Sequence, residues 1–157
     1  MTSRRFFPLL AALPLLMGAQ ECGILAHLST PAPRSPSKGD RIKQNNAITG
    51  CPFHPQRGHG FAIRFSWEPA PSDRPIERYE LQWRRGEFTG FEPVVATTDK
   101  FYDFVACQAF VIDANLEGWF WRVRAVDVDG KIGHWSPLTE FAFAPCRLAG
   151  GGPCFAT

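Results

Sequence analysis

Five cysteines are the most reactive side chains of this 157-residue sequence. Pairs of thiols form disulfides in an oxidising compartment, whereas in a reducing one they more often bind metals or act as nucleophiles. Cys146 and Cys154 are separated by a stretch that contains three consecutive glycines and a proline. Because such a short, flexible loop closes at low entropic cost, we predict a disulfide between Cys146 and Cys154.

The chain offers weak candidates for metal binding and none for catalysis. Cys51, His54 and His59 lie close together in the sequence, but their spacing is not that of a zinc finger and a fourth ligand is not evident. Asp127 and Asp129 precede a glycine, which is typical of a hairpin turn as well as of a calcium loop. No nucleophile elbow, phosphate-binding loop or His-Glu-x-x-His motif is present. We therefore expect no metal, no cofactor and no enzymatic activity.

Arginine and tryptophan residues near the C-terminal end form a pattern that favours stacking. From Trp119 to Ala125 large or apolar residues occupy every second position, while Arg122 and Arg124 occupy the opposite face of the same predicted strand. An Asp/Gly-rich turn then brings Trp135 back beside the two arginines. A guanidinium over an indole ring is attracted by about 0.5–2 kcal/mol. We expect this contact to stabilise the domain, and a ligand-binding face is the alternative.

The same alternation predicts the strands that position these side chains. Residues 61–67 and 76–84 each place bulky apolar residues at every second position, as a half-buried strand does. We expect a core made of Phe61, Ile63, Phe65, Trp67, Tyr79, Leu81, Trp83, Leu116, Trp119, Trp121, Val123 and Ala125. The residues that alternate with this core predict an outward candidate binding face of Arg78, Glu80, Arg84, Arg122, Arg124 and Trp135.

The other strands are less clear from the sequence. Residues 51–55 are expected to form a first strand at a sheet edge, where prolines are tolerated. We predict a fourth strand at 94–98, a fifth at 109–114, and a last one at 134–143, with residues 101–104 crossing between the fourth and the fifth. Several aromatic residues fall outside the core pattern and either cap the domain or form an interaction site: Phe88, Phe91, Phe101, Tyr102 and Phe104.

Three motifs together resemble a known family. F-S-W-E-P at 65–69, Y-E-L-Q-W at 79–83, and G-W-F-W-R-V-R-A-V-D-V-D-G at 118–130 with W-S at 135–136 are similar to bacterial fibronectin type III domains. The resemblance covers residues 51–144. It implies an all-β fold, namely an immunoglobulin-like antiparallel β-sandwich of seven strands over residues 51–145, but says little about activity because this fold hosts many functions.

The resemblance carries further expectations about individual residues. It implies that Cys51 and Cys107 lie toward the same end of one sheet, which makes them a second candidate disulfide. Where the family usually has a corner tyrosine this chain has Trp119, whose indole can donate but cannot accept a hydrogen bond. Cytokine-receptor relatives stack arginines between the tryptophans of a Trp-Ser-x-Trp-Ser motif, of which only Trp135 and Ser136 are present here.

The N-terminal segments predict export. Residues 1–19 read as a signal peptide with two arginines, an apolar run and a Gly-Ala end. Residues 20–50 are expected to be a Pro/Ser-rich linker, and residues 146–157 a Gly-rich tail that contains two cysteines. Cys22 is left as the odd cysteine, either free or the acceptor of a lipid anchor. The export route stays open among the general secretory, twin-arginine and lipoprotein pathways.

Charge limits the class of partner. Removing Arg4 and Arg5 with the signal leaves 15 basic and 15 acidic residues, so nothing predicts nucleic-acid binding. We expect a secreted or periplasmic, non-enzymatic module that binds a protein or glycan of the envelope or extracellular space, or that acts as a spacer. The alternative is a structural envelope lipoprotein, which would meet the membrane only through Cys22.

Overall fold

The computed structural model describes residues 27–85 and 90–154. The predicted signal peptide, Cys22 and Phe88 lie outside these residues. The described residues form a short 3₁₀ helix at Asp113–Asn115 and eight strands, namely β1 (Ala32–Ser35), β2 (Arg41–Ile42), β3 (Gly60–Glu68), β4 (Ile76–Arg85), β5 (Val95–Thr97), β6 (Phe101–Cys107), β7 (Trp119–Asp127) and β8 (Thr139–Phe143). Within the described ranges, no helix has the length and apolar character needed to cross a bilayer.

The strands form two sheets in a sandwich-like arrangement. One sheet has three strands in the order β1-β3-β6, and the other has five in the order β2-β8-β7-β4-β5. All pairs are antiparallel except the short β2, which runs parallel to β8. The longest contacts are β3 with β6 in the first sheet and β4 with β7 in the second, and these strands position the features described below.

The core lies between the two sheets and is rich in aromatic rings. Every residue predicted for the core is buried, because the period-2 alternation of β3, β4 and β7 turns one face of each strand inward. The ring of Phe65 on β3 lies 5.5 Å from that of Trp83 on β4 and 5.3 Å from that of Trp121 on β7. These rings join the two sheets, and each such pair adds about 0.5–1.5 kcal/mol beyond the apolar area it buries.

The N-terminal part of the sandwich differs from the prediction. The segment expected to be a linker contains β1, which pairs with β3, and β2, which pairs with β8. Pro33 lacks an N–H group, but β1 is an edge strand and one side of it needs no donors. Residues 51–55 form no strand and contribute only an isolated bridge between His54 and Gly58. The first strand therefore begins at Ala32, ahead of the expected residues 51–55.

The prediction for the fifth strand is also wrong in position. The strand is β6, whereas residues 109–114 form a loop and the start of the 3₁₀ helix. Tyr102, Phe104 and Ala106 point toward the core, while Phe101 and Val105 are exposed on the other face. Since both faces of β6 carry apolar residues, its alternation is hidden in the sequence. Gln108, with φ of 51°, ends the strand.

The remaining segments match their predictions in part. β5 lies within the predicted residues 94–98, and β8 is shorter than the predicted 134–143. The indole Nε1 of Trp119 donates to the carbonyl of Asn115 at 2.8 Å. This hydrogen bond connects the start of β7 to the preceding 3₁₀ helix. It requires only a donor, which the indole provides.

Two disulfides join the cysteine pairs that the sequence favours, Cys51 with Cys107 and Cys146 with Cys154. The first connects the segment before β3 to the end of β6. The second closes the tail, which packs on the domain: Cys146 and Cys154 are buried, and the side-chain amide of Asn45 donates to the Arg147 carbonyl at 2.7 Å. Two disulfides indicate an oxidising, extracellular or periplasmic environment.

Candidate binding face

The outer face of the five-stranded sheet carries the residues predicted as a binding face. β4 and β7 pair so that Glu80 is opposite Arg124, Gln82 opposite Arg122, and Arg84 opposite Phe120. Because side chains alternate across a strand, these six residues lie on the side opposite the core. We call this surface, together with Arg78, Phe91 and Trp135, the arginine–aromatic face.

Three arginines and three aromatic rings alternate along this face. Arg124 lies 4.3 Å from the ring centroid of Trp135, and Arg122 lies 4.5 Å from the same ring. Arg122 also lies 4.0 Å from the ring of Phe91. Arg84 continues the stack, at 5.3 Å from Phe91 and 5.1 Å from Phe120. The order along the stack is therefore Arg124, Trp135, Arg122, Phe91, Arg84 and Phe120.

Ser136 holds Trp135 in this position. Its backbone N–H donates to the carbonyl of Val123 at 2.8 Å, and its hydroxyl oxygen accepts the Val123 N–H at 3.1 Å. Asp127 organises the preceding turn, since its buried carboxylate accepts the backbone N–H groups of Asp129 and Lys131. The turn and the serine together bring Trp135 back along the outer edge of β7.

The half of the face around Glu80 is internally neutralised. The carboxylate of Glu80 is buried, and it accepts hydrogen bonds from Arg124 at 2.8 Å and from Arg78 at 3.1 Å. Burial alone would raise the pKa of Glu80, but the hydrogen bonds and charges of Arg124 and Arg78 outweigh it and hold the pKa below its usual range. Arg78, Glu80 and Arg124 therefore form a structural charge cluster.

In the other half of the face, the described residues provide cations but no paired anion. Among the described residues, Arg84 and Arg122 form no ion pair with a carboxylate, and their buried Nε atoms have no hydrogen-bond partner. Arg122 donates only to the side-chain oxygen of Gln82, at 3.0 Å. Burial, and after it the charges of Arg124 and Arg84, lower the pKa of Arg122. An anion bound here would relieve this repulsion.

The structure brings the residues predicted as a binding face together. All six residues predicted for the binding face lie on this one surface, and the structure adds Gln82, Phe91 and Phe120 to them. Phe120 alternates in step with Arg122 and Arg124, so the sequence alone could have placed it on the same outward face. Phe91 lies between β4 and β5, outside both strands, and no sequence period could have placed it over Arg122.

Other regions give weaker sites. A cavity of about 380 Å³ at one end of the sandwich is lined mainly by apolar side chains, including Phe61, Phe104 and Val111. In the described residues, no group of three or more His, Cys, Asp or Glu side chains is arranged to hold a metal ion. The arginine–aromatic face is therefore the most specific candidate for recognition. No protein-family model and no curated protein matches this chain.

Proposed function

We propose that this chain is a non-enzymatic, exported fibronectin type III module whose arginine–aromatic face binds an anionic group of a partner. The partner is a protein or glycan of the envelope or extracellular space that presents carboxylates or sulfates. Planar guanidinium groups suit both, because they donate hydrogen bonds in a fork that matches the oxygens of such anions.

The strand order supports the family assignment. When the two-residue β2 is set aside, the first, second and fifth strands make one sheet, and the third, fourth, sixth and seventh make the other. That division is the one expected of a fibronectin type III sandwich. The Trp119 hydrogen bond to Asn115 also fits the corner that this family builds at the start of its sixth strand.

The single observation that carries the binding proposal is the unneutralised pair Arg84 and Arg122. Charged residues with a purely structural role usually meet a counter-ion, as Arg124 does at Glu80. Arg84 and Arg122 are instead half-buried between rings and leave their positive charges uncompensated by described residues. Arginine and aromatic residues are also the types most often found to dominate binding energy.

Two soluble polyanions test this function. Dextran sulfate presents sulfates on a glycan and polyglutamate presents carboxylates on a peptide, with uncharged dextran as the blank. We expect one of them to bind and to change tryptophan fluorescence, because Trp135 lies beside the anion site. Arg84→Gln and Arg122→Gln should each weaken binding about tenfold or more.

Arg64→Gln is the matched control, since it removes one arginine charge from the opposite sheet, where Asp103 already pairs with it. Its affinity for the same polyanion should stay within about twofold of the wild type. If neither polyanion binds, or if Arg64→Gln weakens binding as much as Arg122→Gln does, the arginine–aromatic face is not an anion-binding site.

A further inference from the structure

Among the described strands, β6 forms an outer edge of the three-stranded sheet. Lys100 accepts a hydrogen bond from Trp67, and Gln108 donates one to His59, which fixes the phase of the ladder between β3 and β6. In an antiparallel pair, every second residue of a strand points its N–H and C=O groups at the partner strand. Since Lys100 and Gln108 do so, Tyr102, Phe104 and Ala106 do so as well. The backbone groups of Phe101, Asp103 and Val105 then point outward, and no described segment pairs with them.

The other sheet edges are protected and this one is not. β1 carries Pro33 and a register shift, while β2 and β5 are only two and three residues long. β6 has seven residues and contains neither proline nor lysine. Its outer face shows Phe101 and Val105, which are 41% and 47% exposed. A long edge that is apolar apart from Asp103, whose charge Arg64 already neutralises, is a template for another strand.

We propose that β6 pairs antiparallel with β6 of a second copy of this chain, and forms a six-stranded sheet across a two-fold dimer. The register centres on Asp103, so that Phe101 of each copy lies opposite Val105 of the other. This register makes about six new backbone hydrogen bonds. It also covers each exposed ring with a β-branched side chain, which is a favourable cross-strand pair.

The charges on the strand are compatible with this register. Two Asp103 carboxylates would meet at the two-fold axis, and like charges in that position are unfavourable alone. Each carboxylate, however, already accepts two hydrogen bonds of 2.7 Å from Arg64 on β3 of its own copy. The four groups have no net charge. A shift by two residues would instead place a carboxylate against Phe101 or Val105 of the other copy.

The contact is independent of the proposed function. The arginine–aromatic face lies on the other sheet and stays open in such a dimer. A seven-residue edge buries less area than a standard interface, so the dimer is weak and depends on concentration.

Sedimentation velocity of the full chain from about 10 µM to about 1 mM tests the association. We expect reversible dimers at the upper end. Val105→Lys places a charge on the edge without disturbing the β3 ladder and should raise the dimer Kd at least about tenfold. Ile132→Lys is the matched control, because Ile132 is 53% exposed and lies outside β6. It should leave the dimer Kd unchanged.

Oxidative cross-linking tests the register in a Cys22→Ser background. Asp103→Cys should form a covalent dimer, since paired Cα atoms in this register lie about 5.5 Å apart, within the range of a disulfide. Phe101→Cys should not, because its copies would be about 14 Å apart along the strands. A monomer at every concentration, a dimer indifferent to Val105→Lys, or equal cross-linking of both cysteine variants overturns the proposal.

Discussion

The outer faces of the two sheets hold their charged side chains in different ways. On the five-stranded sheet, Arg122 and Arg124 lie half-buried against aromatic rings, and Glu80 is buried between two arginines. On the three-stranded sheet, Arg64 and Asp103 form a pair whose side chains are 65% and 41% exposed. A charge removed from water interacts strongly with its neighbours, whereas an exposed pair is screened.

The two faces have similar charge patterns in the sequence, but their charge pairs differ in how far they are removed from solvent. Both faces carry arginines that alternate with core residues and that pair across a strand with a carboxylate. The charges of the first face are less exposed, so we expect them to contribute more to stability. The second carries exposed apolar residues and a strand edge that no described segment covers, beside an exposed charge pair from which we expect little. The proposed recognition of an anion would therefore use one face, and the proposed pairing with a second chain would use the other.

The largest expected effect lies in the core that both faces share. Trp67 is buried on β3, with its ring 5.3 Å from that of Tyr79 on β4. Trp67→Ala should lower the free energy of unfolding by about 3–5 kcal/mol, as a large cavity does. Urea unfolding measures it. Trp67→Phe is the informative control, because the indole N–H has no partner among the described residues. Its loss should be well under half as large, and an equal loss would contradict this account of the site.

The two disulfides should differ in their contributions. Cys51 and Cys107 are 56 residues apart, whereas Cys146 and Cys154 are 8 apart. Closing the longer loop restricts the unfolded chain more, so the Cys51→Ser, Cys107→Ser double variant should lose about 2–4 kcal/mol of stability. The Cys146→Ser, Cys154→Ser double variant should lose less. Thermal unfolding of both variants would decide, and the reverse order would show that packing of the tail outweighs loop entropy.

Much of this architecture could be predicted from alternation, and the exceptions have physical causes. β3, β4 and β7 bury one face and expose a polar one, so the sequence reveals both the core and the outward arginines. β1 was missed because prolines hide edge strands, and β6 because its outward face carries Phe101 and Val105. Alternation predicts the face of a residue and leaves its register open.

The candidate site shows the same limit. That Arg122 and Arg124 share a face with Arg84 follows from the sequence alone. That Glu80 neutralises Arg124, while no carboxylate of the described residues pairs with Arg122, follows only from the pairing of β4 with β7. Phe91, which completes the stack, comes from the segment between β4 and β5 and obeys no period.

Arg124→Ala compares the two faces directly. It removes the contact with Trp135 and the hydrogen bond to the buried Glu80, so it should lower stability by about 1 kcal/mol or slightly more. Arg64→Ala removes an exposed pair with Asp103 and a contact with the Phe101 ring, and it should cost clearly less because solvent screens both. Chemical unfolding at low salt measures both. Equal losses would mean that the burial of the Arg124 pair adds nothing to its contribution.

The smallest effect concerns acid stability, and it tests the same contrast through protonation. The folded pKa of Glu80 lies below its ordinary value of 4.5 because its arginine partners overcome the effect of burial. The stabilisation from its carboxylate is therefore complete above that ordinary value and is lost as the pH falls through the lower folded pKa. Glu80→Gln cannot titrate and loses the ionic part of its bonds to Arg124 and Arg78. The variant should thus be less stable than the wild type at neutral pH, and the difference should shrink as the pH falls below 4.5.

The pKa of Asp103 is lowered as well, by its hydrogen bonds to Arg64, but that pair is open to solvent. Asp103→Asn should therefore change the acid limb of the stability curve less than Glu80→Gln does. The free energy of unfolding of both variants, measured between about pH 2 and pH 7, provides the test. A larger change for Asp103→Asn would mean that the exposed pair on the three-stranded sheet contributes more to stability than the buried Glu80 cluster, against this prediction.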